Sequence, residues 1–165
     1  MGRSENHTGA DGTATVPEHW RYGRHLEALA AAAAAGVGEA DAVASVLRDR
    51  DPVMAESAVV THLDRRAAQL LADPGFPGWA RALGGAIGPR AFPARRLREW
   101  TLLKTITDGG PWSPAELTAA SDWCQRTAAQ SLTSYEALGL LAATARTHRV
   151  RTAAAARLRR RSATG

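Results

Sequence analysis

Small and apolar residues recur at three- and four-residue spacing through most of this chain, and prolines and glycines cut the pattern into short lengths. Short helices joined by tight turns follow from it. Pro17 suits the first turn of a helix over 17–35, which Gly36 and Gly38 end before a second helix over 39–48, so the two predict a helical hairpin. Asp51-Pro52 starts the next helix, because the carboxylate can cap free backbone amides and proline has no N–H to leave unpaired. Val53, Val60 and Leu63, broadened by Met54, Ala58 and Val59, give that helix its apolar face, and a short helix over 64–72 precedes the breaker DPGFPG at 73–78. Helices over 79–87 and 93–106 come next, the latter with Leu97, Trp100, Leu103 and Ile106 inward, until Asp108-Gly109-Gly110-Pro111 stops it. Ser113, Pro114 and Glu116 form a capping box, with Trp112 placed to staple onto Leu117. Thr133 and Glu136 repeat the box before EALGLLAATA, and a final helix covers 148–160.

A twelve-residue pattern occurs twice, as SDWCQRTAAQSL (121–132) and THRVRTAAAARL (147–158), 26 residues apart. Cys124 matches Val150, Thr127 matches Ala153, Ala128 and Ala129 match Ala154 and Ala155, and Leu132 matches Leu158. A repeat at that period predicts stacked helical units whose small, apolar stripe needs a neighbouring helix. The alanines let helix backbones approach closely while the leucines fill the remaining volume.

Composition agrees with an all-α chain: alanine is the commonest residue, strand formers are sparse, and 165 residues make one domain able to bury its own core. The expected organisation is a tail over 1–15, a single helical domain over 16–160 and a second tail over 161–165, both tails disordered. Arginine outnumbers lysine 20 to 1. A GC-rich coding bias gives the same excess, so the positions of the arginines carry more than their number. Residues 1–50 sum to −2, 51–100 to +2 and 101–165 to +5, and no acidic residue follows Glu136. The last helix and tail are therefore expected to form a positive end. The one cysteine, Cys124, excludes an internal disulfide and sits on the apolar stripe, where a buried small hydrophobe is expected. The N-terminal residues lack the layout of a secretory signal, and the apolar run 29–35 is far short of the ~20 residues a membrane span needs. The expectation is a soluble cytoplasmic protein with no membrane partner.

The segment SYEALGLLAATARTHRVRTAAAARL (134–158), a capped apolar helix followed by a second reading VRxxAAxxL, resembles a HEAT-like helical repeat, and DPVMAESAVVTHL (51–63) is a looser copy. The resemblance implies a right-handed stack of antiparallel helical hairpins, a short α-solenoid made irregular by the prolines and glycines of 73–112. It also implies a non-catalytic scaffold that acts by protein–protein contact, as an adaptor or accessory subunit. The alternative is a basic nucleic-acid-binding protein similar to the HEAT-like alkylpurine DNA glycosylases, whose catalytic residues have no positional match in this chain.

Candidate chemistry is sparse. The histidines at 7, 19, 25, 62 and 148 form no i, i+3 or i, i+4 pair and have no neighbouring cysteine, so no metal site or cofactor is expected. The chain has no GxSxG, no GxxxxGK[ST] and no GxGxxG, and no catalytic residue is assigned. An enzyme with a pocket between helical units stays open as a third class. The partner or phosphate contacts are placed on Arg146, Arg149, Arg151, Arg159 and Arg160, whose guanidinium forks match carboxylate and phosphate oxygens. With Val150, Ala154 and Leu158 inward, Arg149 and Arg159 point away and Arg151 lies at the margin. Trp20 and Tyr22, in the cluster HWRYGRH, are the expected surface aromatics, while Trp123 is expected to pack on the preceding unit.

Overall fold

Most helix starts among the described residues can be traced to a capping side chain or a proline. The computed structural model describes residues 17–163 and contains, among them, nine helices and no strand. The tail expected over 1–15 and, of the one expected over 161–165, residues 164–165 lie outside the described residues. Helices α1 (Glu18–Ala35) and α2 (Glu39–Val46) are separated by Gly36 and Gly38, both at positive φ, where a side chain would be strained. Helix α3 (Pro52–Leu70) is capped by Asp51, whose Oδ1 accepts from the Met54 amide at 3.1 Å.

Helix α3 is continuous, where the sequence pattern suggests a separate helix over 64–72. No glycine or proline interrupts it. Asp64 does not cap a new helix; it accepts from Arg96 and from Trp100 Nε1, so it ties α3 to the next helix but one. Val53 is 76% exposed, against expectation. The buried stripe of α3 runs through Ala55, Ala58, Val59, Leu63 and Ala67, and Val53 lies to one side of it.

Helix α4 (Phe76–Ile87) begins three residues before the expected start at Trp79. Asp73 Oδ1 accepts from the Gly75 amide at 2.6 Å, which folds the breaker into a tight turn, and Pro77 sits in the first helical turn where it loses no hydrogen bond. Helix α5 (Ala91–Thr107) buries Leu97, Trp100, Leu103 and Ile106, as the spacing predicts. Helix α6 (Pro114–Ala119) follows, but Ser113 makes no side-chain capping bond, so the capping box is not formed. Helix α7 (Asp122–Ser131) is capped by Ser121 and helix α9 (His148–Ser162) by Thr147, the matched first positions of the repeat. Helix α8 (Tyr135–Thr144) is capped by Ser134, one residue after the Thr133 of the predicted box. Helix α9 runs to Ser162, past the expected end at 160, so Arg161 is helical.

The odd-numbered helices pack in succession, α1 on α3, α3 on α5, α5 on α7 and α7 on α9. Among the even-numbered helices α2 packs on α4 and α6 on α8, but α4 and α6 form no such pair. Two cores result. One joins α1, α2 and α3 to Leu83 and Ile87 of α4 and Leu97 of α5; the other joins Phe76 of α4 and Trp100, Leu103 and Ile106 of α5 to α6 through α9. Trp79 and Ala80 pack against both. No helix among the described residues is long and apolar enough to cross a membrane.

Candidate binding groove

The residues that sequence alone places at a contact surface are not brought together. Trp20 is 64% exposed at the start of α1, edge-on to His19. Tyr22 two residues on is a tie instead, its hydroxyl 2.9 Å from Thr61 Oγ1 on α3. Arg21 and His25 reach Asp49 at 3.3 and 2.9 Å, so the aromatic cluster mostly fastens α1 down.

At the other end of the chain several arginines are engaged with backbone. Arg146 donates to Asp122 at 2.8 Å and to the Ala120 carbonyl at 2.9 Å, and Arg151 donates to the Ala145 carbonyl at 2.7 Å. Arg157 and Arg161 donate to the carbonyls of Gln130 and Thr133. These oxygens lie at or just beyond helix C-termini, where four carbonyls lack intrahelical partners and the helix dipole favours positive charge. Arg149, Arg159 and Arg160 are exposed on α9.

A half-buried carboxylate, Glu39, and a buried amide, Gln125, organise the packing. Glu39 on α2 accepts from His62 of α3 at 2.8 Å and from Trp79 Nε1 of α4 at 2.9 Å, with Arg66 Nε 3.5 Å away. Burial pushes this carboxyl up, but the bonds from His62 and Trp79 and the charges of His62 and Arg66 outweigh it and hold it below its ordinary value. Asp49 is also held low, first by the Asp51 backbone amide and then by His25. In the other half, Gln125 donates to the carbonyls of Leu117 and Thr118 at 3.1 and 2.9 Å and accepts the Arg146 amide at 3.0 Å. A Glu–His pair can serve acid–base chemistry, yet among the described residues no hydroxyl or thiol is bonded to this one. Cys124 lies apart and fully buried, where burial, with Glu99 adding to it, pushes the thiol up to about 12. Among the described residues no three His, Cys, Asp or Glu side chains are grouped to hold a metal.

The principal concavity lies elsewhere, in a groove of about 610 Å³ between α4, α5 and the segment leading into α6. Helix α4 lines it with Ala80, Gly84 and Ile87, helix α5 with Ala94, Leu97 and Leu102, and Pro111 and Trp112 form the far wall. These positions follow helical spacing along α4 and α5, so one face of each looks into the groove. Arg81, Arg98 and Glu116 stand at its edge, all exposed. None of the three has a hydrogen bond, ion pair or ring contact within the described residues.

The chain matches no protein-family model, no curated protein and no solved structure. The groove itself is what the sequence reading missed. Its signals were present as the Gly84-Gly85 pair in mid-helix and as the prolines around Trp112, which read from sequence only as irregularity.

Proposed function

We propose that this chain is a non-catalytic binding module, a short and irregular HEAT-like stack of antiparallel hairpins that works by protein–protein contact as an adaptor or accessory subunit. The observation that carries the reading is the break between α4 and α6, which leaves an apolar groove with unpaired arginines at its edge. Apolar concavities with a few polar groups at the rim are where partners dock. The scarcity of assembled acid–base or nucleophilic groups supports a binding role over a chemical one. In its own cells, the tagged wild-type chain is expected to retain a stoichiometric protein partner that Gly84→Leu, whose side chain fills the groove, does not retain. Equal recovery by both forms would remove the groove from the contact, and turnover of a small molecule by the purified chain would replace the reading.

A second reading, nucleic-acid binding, draws on the arginines that line cavities between successive odd-numbered helices. These are Arg65 and Arg66 between α1 and α3, Arg95 and Arg96 between α5 and α7, and Arg126 and Arg149 between α7 and α9. Arg66, Arg95 and Arg96 are already paired with Glu39, Glu99 and Asp64, which weakens a phosphate-binding track. A gel shift titrated with salt separates the readings, because phosphate contacts lose affinity steeply between low and physiological salt.

A further inference from the structure

We infer that the groove takes an amphipathic helix of about three turns carrying acidic residues beside its apolar stripe, contributed by a partner protein. The inference rests on the binding-module reading and specifies its ligand. From Ala94 to Thr105 the α5 face of the groove spans 12 residues, about 16 Å from first to last at the helical rise, which matches three turns of an opposing helix. The even-numbered helices are packed in pairs on either side, α2 with α4 and α6 with α8, and the groove occupies the place between them where one more rod would lie. A helix docks in such a slot by its i, i+3, i+4, i+7 residues.

Charge selects the occupant. Arg81 on α4 and Arg98 on α5 stand at the edge of the apolar floor with no partner among the described residues, and Glu116 is the single acid facing them. An incoming Asp or Glu gains a bidentate partner there, whereas an incoming Lys or Arg meets like charge. Gly84 keeps the wall open: a Cβ there would touch only Leu97 Cδ2, at 3.7 Å, an ordinary contact. Gly84 and Leu97 both line the groove, so a larger side chain at 84 is expected to reduce its volume beside Leu97, and leucine is the better helix former.

The full-length chain serves as bait for a phage-displayed library of 16-residue helix-forming peptides randomised at all surface positions. Enriched peptides are expected to combine a helical apolar stripe with flanking Asp or Glu. Their affinity, read by fluorescence anisotropy, is expected to fall roughly tenfold or more with the double variant Arg81→Glu, Arg98→Glu, and to vanish with Gly84→Leu. Circular dichroism and melting confirm that the variants fold, and Thr101→Phe on the exposed face of α5 is the second block should Gly84→Leu fail. Groove-dependent peptides without acids, or a bait that dimerises until Gly84→Leu restores the monomer, would overturn the acidic partner while leaving the groove as the contact. Peptides indifferent to both blocks, or no enrichment at all, would overturn both.

Discussion

The two cores of this molecule solve one problem with different chemistry. In the N-terminal half, helices are tied together through carboxylates: Glu39 gathers His62, Trp79 and Arg66 from two neighbouring helices, and Asp49 gathers Arg21 and His25 from α1. In the C-terminal half the acceptors are mainly backbone carbonyls, reached by the Gln125 amide and by Arg146, Arg151, Arg157 and Arg161. The sequence explains the change, since acids run out after Glu136 while arginines continue. Where no carboxylate is at hand, the unpaired carbonyls at helix ends take its place. The positive charge that looks like a ligand surface in the sequence is thereby partly turned inward, as cement.

The largest test of this division concerns whether the halves stand or fall together. Phe76, fully buried, is the α4 residue that belongs to the C-terminal core, with Trp79 and Ala80 packed beside it, while Leu83 and Ile87 hold the same helix in the N-terminal one. Phe76→Ala is expected to cost about 3–5 kcal/mol, the usual range for emptying such a site. If the cores are one cooperative unit, tryptophan fluorescence and circular dichroism will still report one coincident urea transition. Two separated transitions would make them independent domains. Next in size is Gln125→Leu, which removes the buried bond to the Leu117 carbonyl and the part-buried bonds to the Thr118 carbonyl and the Arg146 amide. The expected loss is about 3 kcal/mol from urea unfolding. A loss under about 1 kcal/mol would show that water replaces the amide, and the carbonyl-based account of this half would lose its centre.

Helix positions and the inward faces of α5, α7 and α9 were legible in the sequence because they depend on local spacing and on Gly, Pro, Asp and Ser at the ends. The cap at Asp51, the repeat of Cys124 and Val150 as buried positions, and the contact of Trp123 with Trp100 at 5.3 Å all followed that logic. The failures share a different cause. A separate helix over 64–72 and an open Tyr22 were expected because the partners of Asp64 and Tyr22 lie on other helices, 36 and 39 residues away in sequence at Trp100 and Thr61. Among the arginines expected at the positive end, Arg149 and Arg159 are exposed as the spacing predicts, whereas Arg146 and Arg151 turn to backbone carbonyls, which leave no mark on the residue that carries them. The groove was illegible for a related reason: it lies where α4 and α6 do not pack as a pair, and Gly84, Gly85 and the prolines around Trp112 read from sequence only as irregularity.

Acid distinguishes the halves at a smaller scale. Glu39 titrates below its ordinary 4.5 and Asp49 below its ordinary 3.8 in the folded chain. Carboxyls lowered on folding stabilise fully above their unfolded values, and that stabilisation is lost as pH falls through the folded ones. The chain is therefore expected to lose urea resistance on acidification through and below about pH 4.5. Glu39→Gln keeps an oxygen for both His62 and Trp79, which share Oε1, and removes the charge that faces His62 and Arg66, so it is expected to cost about 1–2 kcal/mol at neutral pH and progressively less in acid. A penalty that stays constant down to pH 3 would mean the carboxylate acts by shape alone.

The smallest effects bear most directly on what the arginines do. Arg151 and Arg157 reach helix-end carbonyls, whereas Arg149 and Arg159 are exposed on the same helix. If helix-end capping is their role, Arg151→Ala and Arg157→Ala each lower stability by about 0.3–1 kcal/mol, while Arg149→Ala and Arg159→Ala stay within about 0.5 kcal/mol of wild type. Arg151→Lys is expected to fall between, keeping the charge without the guanidinium whose Nη1 donates to the carbonyls of both Ala145 and Arg146. Salt is expected to shrink the first pair of penalties, since the dipole term is screened at the surface. Equal penalties at all four positions would remove the distinction between cementing and free arginines, and with it the physical reason for placing the partner site at Arg81 and Arg98 rather than on α9.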